Sequence, residues 1–266
     1  MFDQRSPPAA PGFRGALFGV CSALGAAFAI GLLAAVTSSC ARSAPRPPIL
    51  LVTLHGMRAD VVGALGGEHG LTPHLDRFAA AADWRGRAVA PASAGASSIA
   101  SLFTGLRPWQ NQVLYDGMPL SRRYSTLPAV LLDAGYRTAG FTEDVTLRRA
   151  GGFVHGFEVL QAQTLRARAE VERRLCGPEP GFLWAHFDLV SVGYRRHDGF
   201  LDRLEGEPPA APTETLPQKV TRAEIERWSD PSTPASPAER ATAWALYRSG
   251  VAEADAQLGE LLDALA

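Results

Sequence analysis

Six consecutive residues, Ile49-Leu50-Leu51-Val52-Thr53-Leu54, carry no charge and offer no polar face. A strand with one side in water alternates apolar and polar residues. An unbroken apolar run belongs to a strand covered on both sides, as in the parallel sheets of α/β folds. Tyr136 to Phe141 and Phe182 to Phe187 read as further strands, and Arg87 to Ala90 as a short one. Helical patterns lie between and after them. Thr72-Pro73 opens a helix, with Thr72 as its cap, Pro73 in its first turn and Leu75, Phe78 and Ala79 on one apolar face. Ser97 to Phe103 is a helix closed by Gly105, and Leu127 to Ala134 is one stopped by Gly135. Leu165 to Leu175 reads as a basic amphipathic helix. Leu246, Ala254, Leu258, Leu261, Leu262 and Leu265 fall at the spacing of a last helix. The alternation predicts an α/β fold with a mostly parallel sheet flanked by helices.

The amino-terminal stretch belongs to no soluble core. No charge separates Arg14 from Arg42, and Gly15 to Val36 is rich in Ala, Gly, Leu, Phe and Val. A bilayer-spanning helix needs roughly 20 apolar residues. Arg5 and Arg14 precede the run, as in export signals. Residues 1–42 are therefore expected to be a cleaved signal, an uncleaved anchor or a lipoprotein signal acylated at Cys40. The expected location is outside the cytoplasm, at the cell membrane or in the periplasm. Ala41 to Pro48 reads as a tether, and residues 43–266 as the folded domain. Within that domain Arg195 to Glu239, rich in Pro, Glu, Thr and Asp, reads as a surface insertion with a short helix at Arg222 to Trp228. A formal net charge of −1 excludes a general nucleic-acid binder, so the expected partner of the first segment is a membrane. Three cysteines, Cys21, Cys40 and Cys176, build neither a disulfide framework nor a structural zinc site.

The order of motifs from about residue 49 onward resembles the sulfatase family of the alkaline-phosphatase superfamily. Leu51 to Asp60 is similar to its opening strand and loop, and Leu71-Thr72-Pro73-His74-Leu75-Asp76-Arg77-Phe78 to its TPNLDRL helix start. Ser101-Leu102-Phe103-Thr104-Gly105-Leu106-Arg107-Pro108 resembles its SLLTGLYP segment. Leu127 to Phe141, Gly151 to Phe157 and Tyr247 to Leu265 resemble the later segments in the right order. The resemblance implies hydrolysis of sulfate esters by a Ca²⁺ ion and a formylglycine made from Cys or Ser.

The residues that would carry this chemistry depart from the pattern. The family's two metal-binding Asp positions at the end of the first strand fall on His55 and Gly56. Imidazole suits zinc-like ions better than Ca²⁺, and glycine has no side chain. The formylglycine position falls on Gly95, which can be neither oxidised nor used as a nucleophile. The His that contacts the sulfate falls on Ser191, while Tyr194 is retained. The family's later acidic metal pair has no counterpart before Ala266. His197-Asp198-Gly199 is only an echo of its motif and reads as loop.

Other polar residues have simpler readings. Ser93, Ser97 and Ser98 read as caps and loop residues, and His186 as a polar residue at the end of a strand. Arg166, Arg168, Arg173 and Arg174 read as a solvated helix face, and Trp109 and Trp184 as packing residues. Glu143 and Asp144 read as a turn.

Three readings follow. The first is an exported sulfatase-like pseudoenzyme without a cofactor. The second is a sulfuric or phosphoric ester hydrolase with a rewired site, in which His55, Glu143, Asp144 and His186 hold a transition metal. The third is the amino-terminal part of a split reading frame, with a second polypeptide completing the sheet.

Overall fold

The structure is a computed structural model, and it describes residues 46–67, 70–83, 88–149, 151–162, 175, 177–188, 190–191, 193–201 and 216–264. Residues 1–42, Cys40, Cys176 and most of the expected helix at 165–175 lie outside these. Among the described residues, no helix is long and apolar enough to cross a membrane.

Strand β1 (Ile49–Leu54) is followed by helices α1 (Pro73–Ala81), α2 (Gly95–Thr104), α3 (Pro108–Asn111) and α4 (Leu127–Asp133). Strand β2 (Arg137–Thr142), helix α5 (Val145–Arg149), and strands β3 (Val159–Gln161) and β4 (Gly181–Phe187) come next. Helices α6 (Asp198–Leu201), α7 (Arg222–Trp228) and α8 (Pro237–Asp263) end the described chain. The four strands form one sheet in the order β1-β4-β2-β3, and every pairing is parallel. Residues 88–90 form no strand, contrary to expectation, and the three-residue β3 was not anticipated.

The apolar runs have the predicted cause. β4 is buried along its whole length because both faces of the sheet are covered. On one face Phe182 and Trp184 pack with Ala96, Ile99 and Phe103 of α2, and with Leu147 and Phe153. On the other, Leu183, Ala185 and Phe187 pack with Ala139, Phe141 and Leu261 of α8. Trp184 is the largest fully buried side chain. Trp109, by contrast, is 65% exposed beneath the Arg107 guanidinium, so it is not a packing residue.

Helix α1 corrects two expectations. Thr72 does not cap it. Its hydroxyl accepts the Gly63 N–H at 3.0 Å and donates to Asp76 at 3.1 Å. The free N–H groups of His74 and Leu75 go instead to the Asp255 carboxylate, at 3.0 and 2.8 Å. A buried acid on α8 thus caps a helix 180 residues away in sequence. Phe78 is 49% exposed, and Ala79 is the buried residue of that face.

The stretch expected as a surface insertion contributes to a core. Leu201, Leu216 and Val220 are buried against Ala245 and Leu246 of α8. α7 forms at the expected residues because Thr221 and Glu224 cap each other reciprocally. Asp198 and Gly199 open α6 rather than a loop, and His197 pairs with Glu253 of α8.

Candidate functional site

In a strand, side chains two residues apart share a face. The β1–β4 register sets Thr53 beside His186. Thr53 and His55 therefore project on the same side as Trp184, His186 and Asp188, at the carboxyl ends of the strands. The backbone holds this alignment one residue past the strand, where the His55 N–H donates to the Phe187 carbonyl at 2.9 Å. Carboxyl ends of parallel strands are where such sheets place ligands.

Two hydrogen-bonded units meet there. The Thr53 hydroxyl accepts the Trp184 Nε1–H at 3.0 Å and lies 2.7 Å from His186 Nδ1. His55 Nδ1 lies 2.8 Å from Asp188 Oδ1. The two imidazoles stack with centroids 5.7 Å apart. His186 is buried, and its Nε2 has no hydrogen-bond partner. One donor atom from each of His55, His186 and Asp188 lies within 4.8 Å of the other two.

The three groups titrate differently. The hydrogen bond to Asp188 raises the His55 pKa, against the opposing effect of burial. Burial pushes the Asp188 carboxyl up, but His55, through its hydrogen bond and its charge, holds it below the ordinary carboxylate value. Burial, then the neighbouring His55, lowers His186 to about 4. The site therefore pairs a histidine whose proton affinity is raised with a carboxylate, beside an imidazole whose proton affinity is lowered.

A cleft of about 560 Å³ opens over His55 and His186. Its walls include Thr53, His55, Gly56, Gly95, Ser98 and His186. Gly95 is the first residue of α2, and a Cβ built on it falls 2.6 Å from His55 Cε1 and 2.7 Å from Nε2. The imidazole of His55 thus fills the space that a side chain at position 95 would need. Gly56 has φ +76°, and a Cβ there falls 2.6 Å from the Val190 carbonyl oxygen. Position 56 has no room for a carboxylate ligand.

The other residues singled out from sequence are placed as follows. Ser191 lies after β4, and its hydroxyl donates to the Asp188 carbonyl at 3.4 Å. The Ser98 hydroxyl donates to the Ala92 carbonyl at 2.9 Å, Ser97 is buried in α2, and Ser93 is exposed at the cleft wall. Glu143 is exposed. Asp144 caps α5, accepting the Thr146 and Leu147 N–H groups at 2.7 and 3.3 Å. The fold thus unites His55 and His186 but spends Asp144 elsewhere, and it adds Asp188, which sequence reasoning passed over. The signal was present: Asp188 stands two residues after His186, as His55 stands two after Thr53.

Donors of two imidazoles and one carboxylate do not fit Ca²⁺, which takes six to eight oxygen ligands. No step through a Ca²⁺ ion follows from these residues. What the geometry allows is proton transfer at His55 Nε2, with Asp188 fixing the ring through Nδ1.

The sulfatase family model matches residues 47–205. The chain belongs to the sulfatase family. Solved structures of the same fold include a 2-O GAG sulfatase, 18% identical with a TM-score of 0.58, over 83% of this chain and 54% of that one. The phosphonate monoester hydrolase of Agrobacterium radiobacter is 17% identical with a TM-score of 0.54, over 83% of this chain and 59% of that one. The C-terminal periplasmic domain of EcEptC from Escherichia coli, in complex with Zn, is 15% identical with a TM-score of 0.57, over 84% and 60%. This sulfatase-family chain therefore spans 54–60% of the length of these three structures. No curated protein matches it.

Proposed function

We propose that the chain is an exported, non-hydrolytic member of the sulfatase family, held at a membrane through residues 1–42. One observation carries the loss of hydrolysis. The place of the family's nucleophile is Gly95, and the His55 ring occupies the volume its side chain would fill. Covalent attack needs a nucleophile aimed into the cleft, and neither Gly95 nor Gly56 brings a reactive group. The ligand would enter the same cleft and remain intact. The test is turnover of aryl sulfates and aryl phosphates by the purified full chain, in detergent, with Ca²⁺, Mg²⁺, Mn²⁺ or Zn²⁺ supplied in turn. The expected result is no turnover above the buffer rate. Metal-dependent turnover that disappears in His55→Ala rejects the reading.

A second reading draws on the meeting of His55, His186 and Asp188. A water polarised beside His55 would then attack a sulfate or phosphate ester, with no residue at position 95 involved. The same assay separates the two readings. For partners, β1 pairs only with β4 among the described strands, which leaves its outer edge for a strand of a second polypeptide. A sedimentation measurement giving a monomer at all concentrations rejects that partner.

A further inference from the structure

The buried end of the cleft contains an unexplained nitrogen. His186 commits Nδ1 to Thr53, and its Nε2 is enclosed at the cleft wall without a partner. Leaving a buried polar atom unpaired is costly, and such an atom in a native fold calls for an explanation. A bound cation would give that nitrogen a partner. Beside it stand the His55 imidazole and the Asp188 carboxylate, with one donor atom of each residue within 4.8 Å of the other two.

We propose that His55, His186 and Asp188 form a binding site for a divalent cation of the zinc class. Imidazole nitrogens select zinc, cobalt or nickel over calcium or magnesium. Two imidazoles and a carboxylate make three of the four ligands of a tetrahedral ion, and the cleft supplies the fourth from water or an anionic ligand. Thr53 holds the His186 ring from behind, and Trp184 in turn holds Thr53. Such hydrogen bonds fix the rotamer of a metal-binding histidine. The proposal does not depend on the absence of hydrolysis, since a bound cation is compatible with either reading.

The experiment uses the full chain in detergent, stripped with a chelator and dialysed. Zn²⁺ is titrated by calorimetry, and Co²⁺ by its visible absorption. The expected result is one ion per chain, an intense Co²⁺ spectrum of tetrahedral type, and no competition from excess Ca²⁺. His186→Asn and Asp188→Asn should each weaken Zn²⁺ binding by about tenfold or more. Glu143→Gln should leave it unchanged. No binding of either ion overturns the proposal, as does affinity that survives both substitutions. If His186→Asn does not fold, the wild-type Co²⁺ spectrum decides, since a weak octahedral spectrum rejects the site. Binding without turnover supports the site and the non-hydrolytic reading together. Turnover with binding retains the site and rejects that reading.

Discussion

Gly95→Ala gives a direct measurement of how His55 occupies the space beside position 95. Inside a helix, replacing Gly by Ala ordinarily stabilises by about 0.5–1 kcal/mol. At position 95 the new methyl falls 2.6 Å from His55 Cε1, well inside contact distance. The ring must turn away, and it is tied to Asp188 at 2.8 Å with both side chains only 25% exposed. Losing a hydrogen bond to a charged group such as the Asp188 carboxylate costs about 1.5–3 kcal/mol. The net effect is a destabilisation of about 1–2 kcal/mol, or about 2–4 °C in Tm per kcal/mol for a domain of this size. In a His55→Ala background the obstacle is absent, and the same substitution should be neutral or stabilising. The coupling between the two sites is then about 1–3 kcal/mol. Urea unfolding of the four proteins of this cycle, in chelator, measures it. Equal effects of Gly95→Ala in both backgrounds would show that the ring does not fill that space.

Three further outcomes follow from the same geometry. His186 is neutral in the fold down to about pH 4 but takes a proton near 6.5 when unfolded. The unfolded state therefore binds more protons across that window, and the native state loses stability as pH falls through it, by about 3 kcal/mol. His186→Asn in chelator should flatten this part of the urea-midpoint profile, and an unchanged profile refutes the assignment. His55 acts in the opposite sense. Its raised pKa contributes stability present below pH 6.5 and lost as pH rises through the folded value. Asp188→Asn should abolish that contribution and move the His55 ring titration downward by NMR. Asp255→Ala leaves the His74 and Leu75 N–H groups without their acceptor and should cost about 1–3 kcal/mol. Hydrogen exchange should then accelerate in α1 before it does in the sheet.

The strands were legible because burial on two faces imposes an unbroken apolar run, visible in Ile49–Leu54 and Phe182–Phe187 without any partner being known. The ends of α2 and α4 were legible because Gly105 and Gly135 stop a helix through their own backbone freedom. The cap of α1 was not, because Thr72 has a suitable side chain and the fold uses it elsewhere. Asp255 takes the role through a contact that only packing creates. The same holds for the site. His55 and Gly95 were recognisable as departures from the pattern that the resemblance implies. That the second change makes room for the first appears only when α2 is seated against the end of β1. Asp188 needed both the period of two along β4 and the parallel register with β1, which joins it to His55, 133 positions earlier in the chain.

Local order and composition by themselves determined the layer architecture, the family resemblance and the absence of a usable group at position 95. Tertiary structure alone decided which donors converge. A side chain's chemistry is written at its position, but its neighbours across a sheet are set by register, and register is a property of the assembled strands.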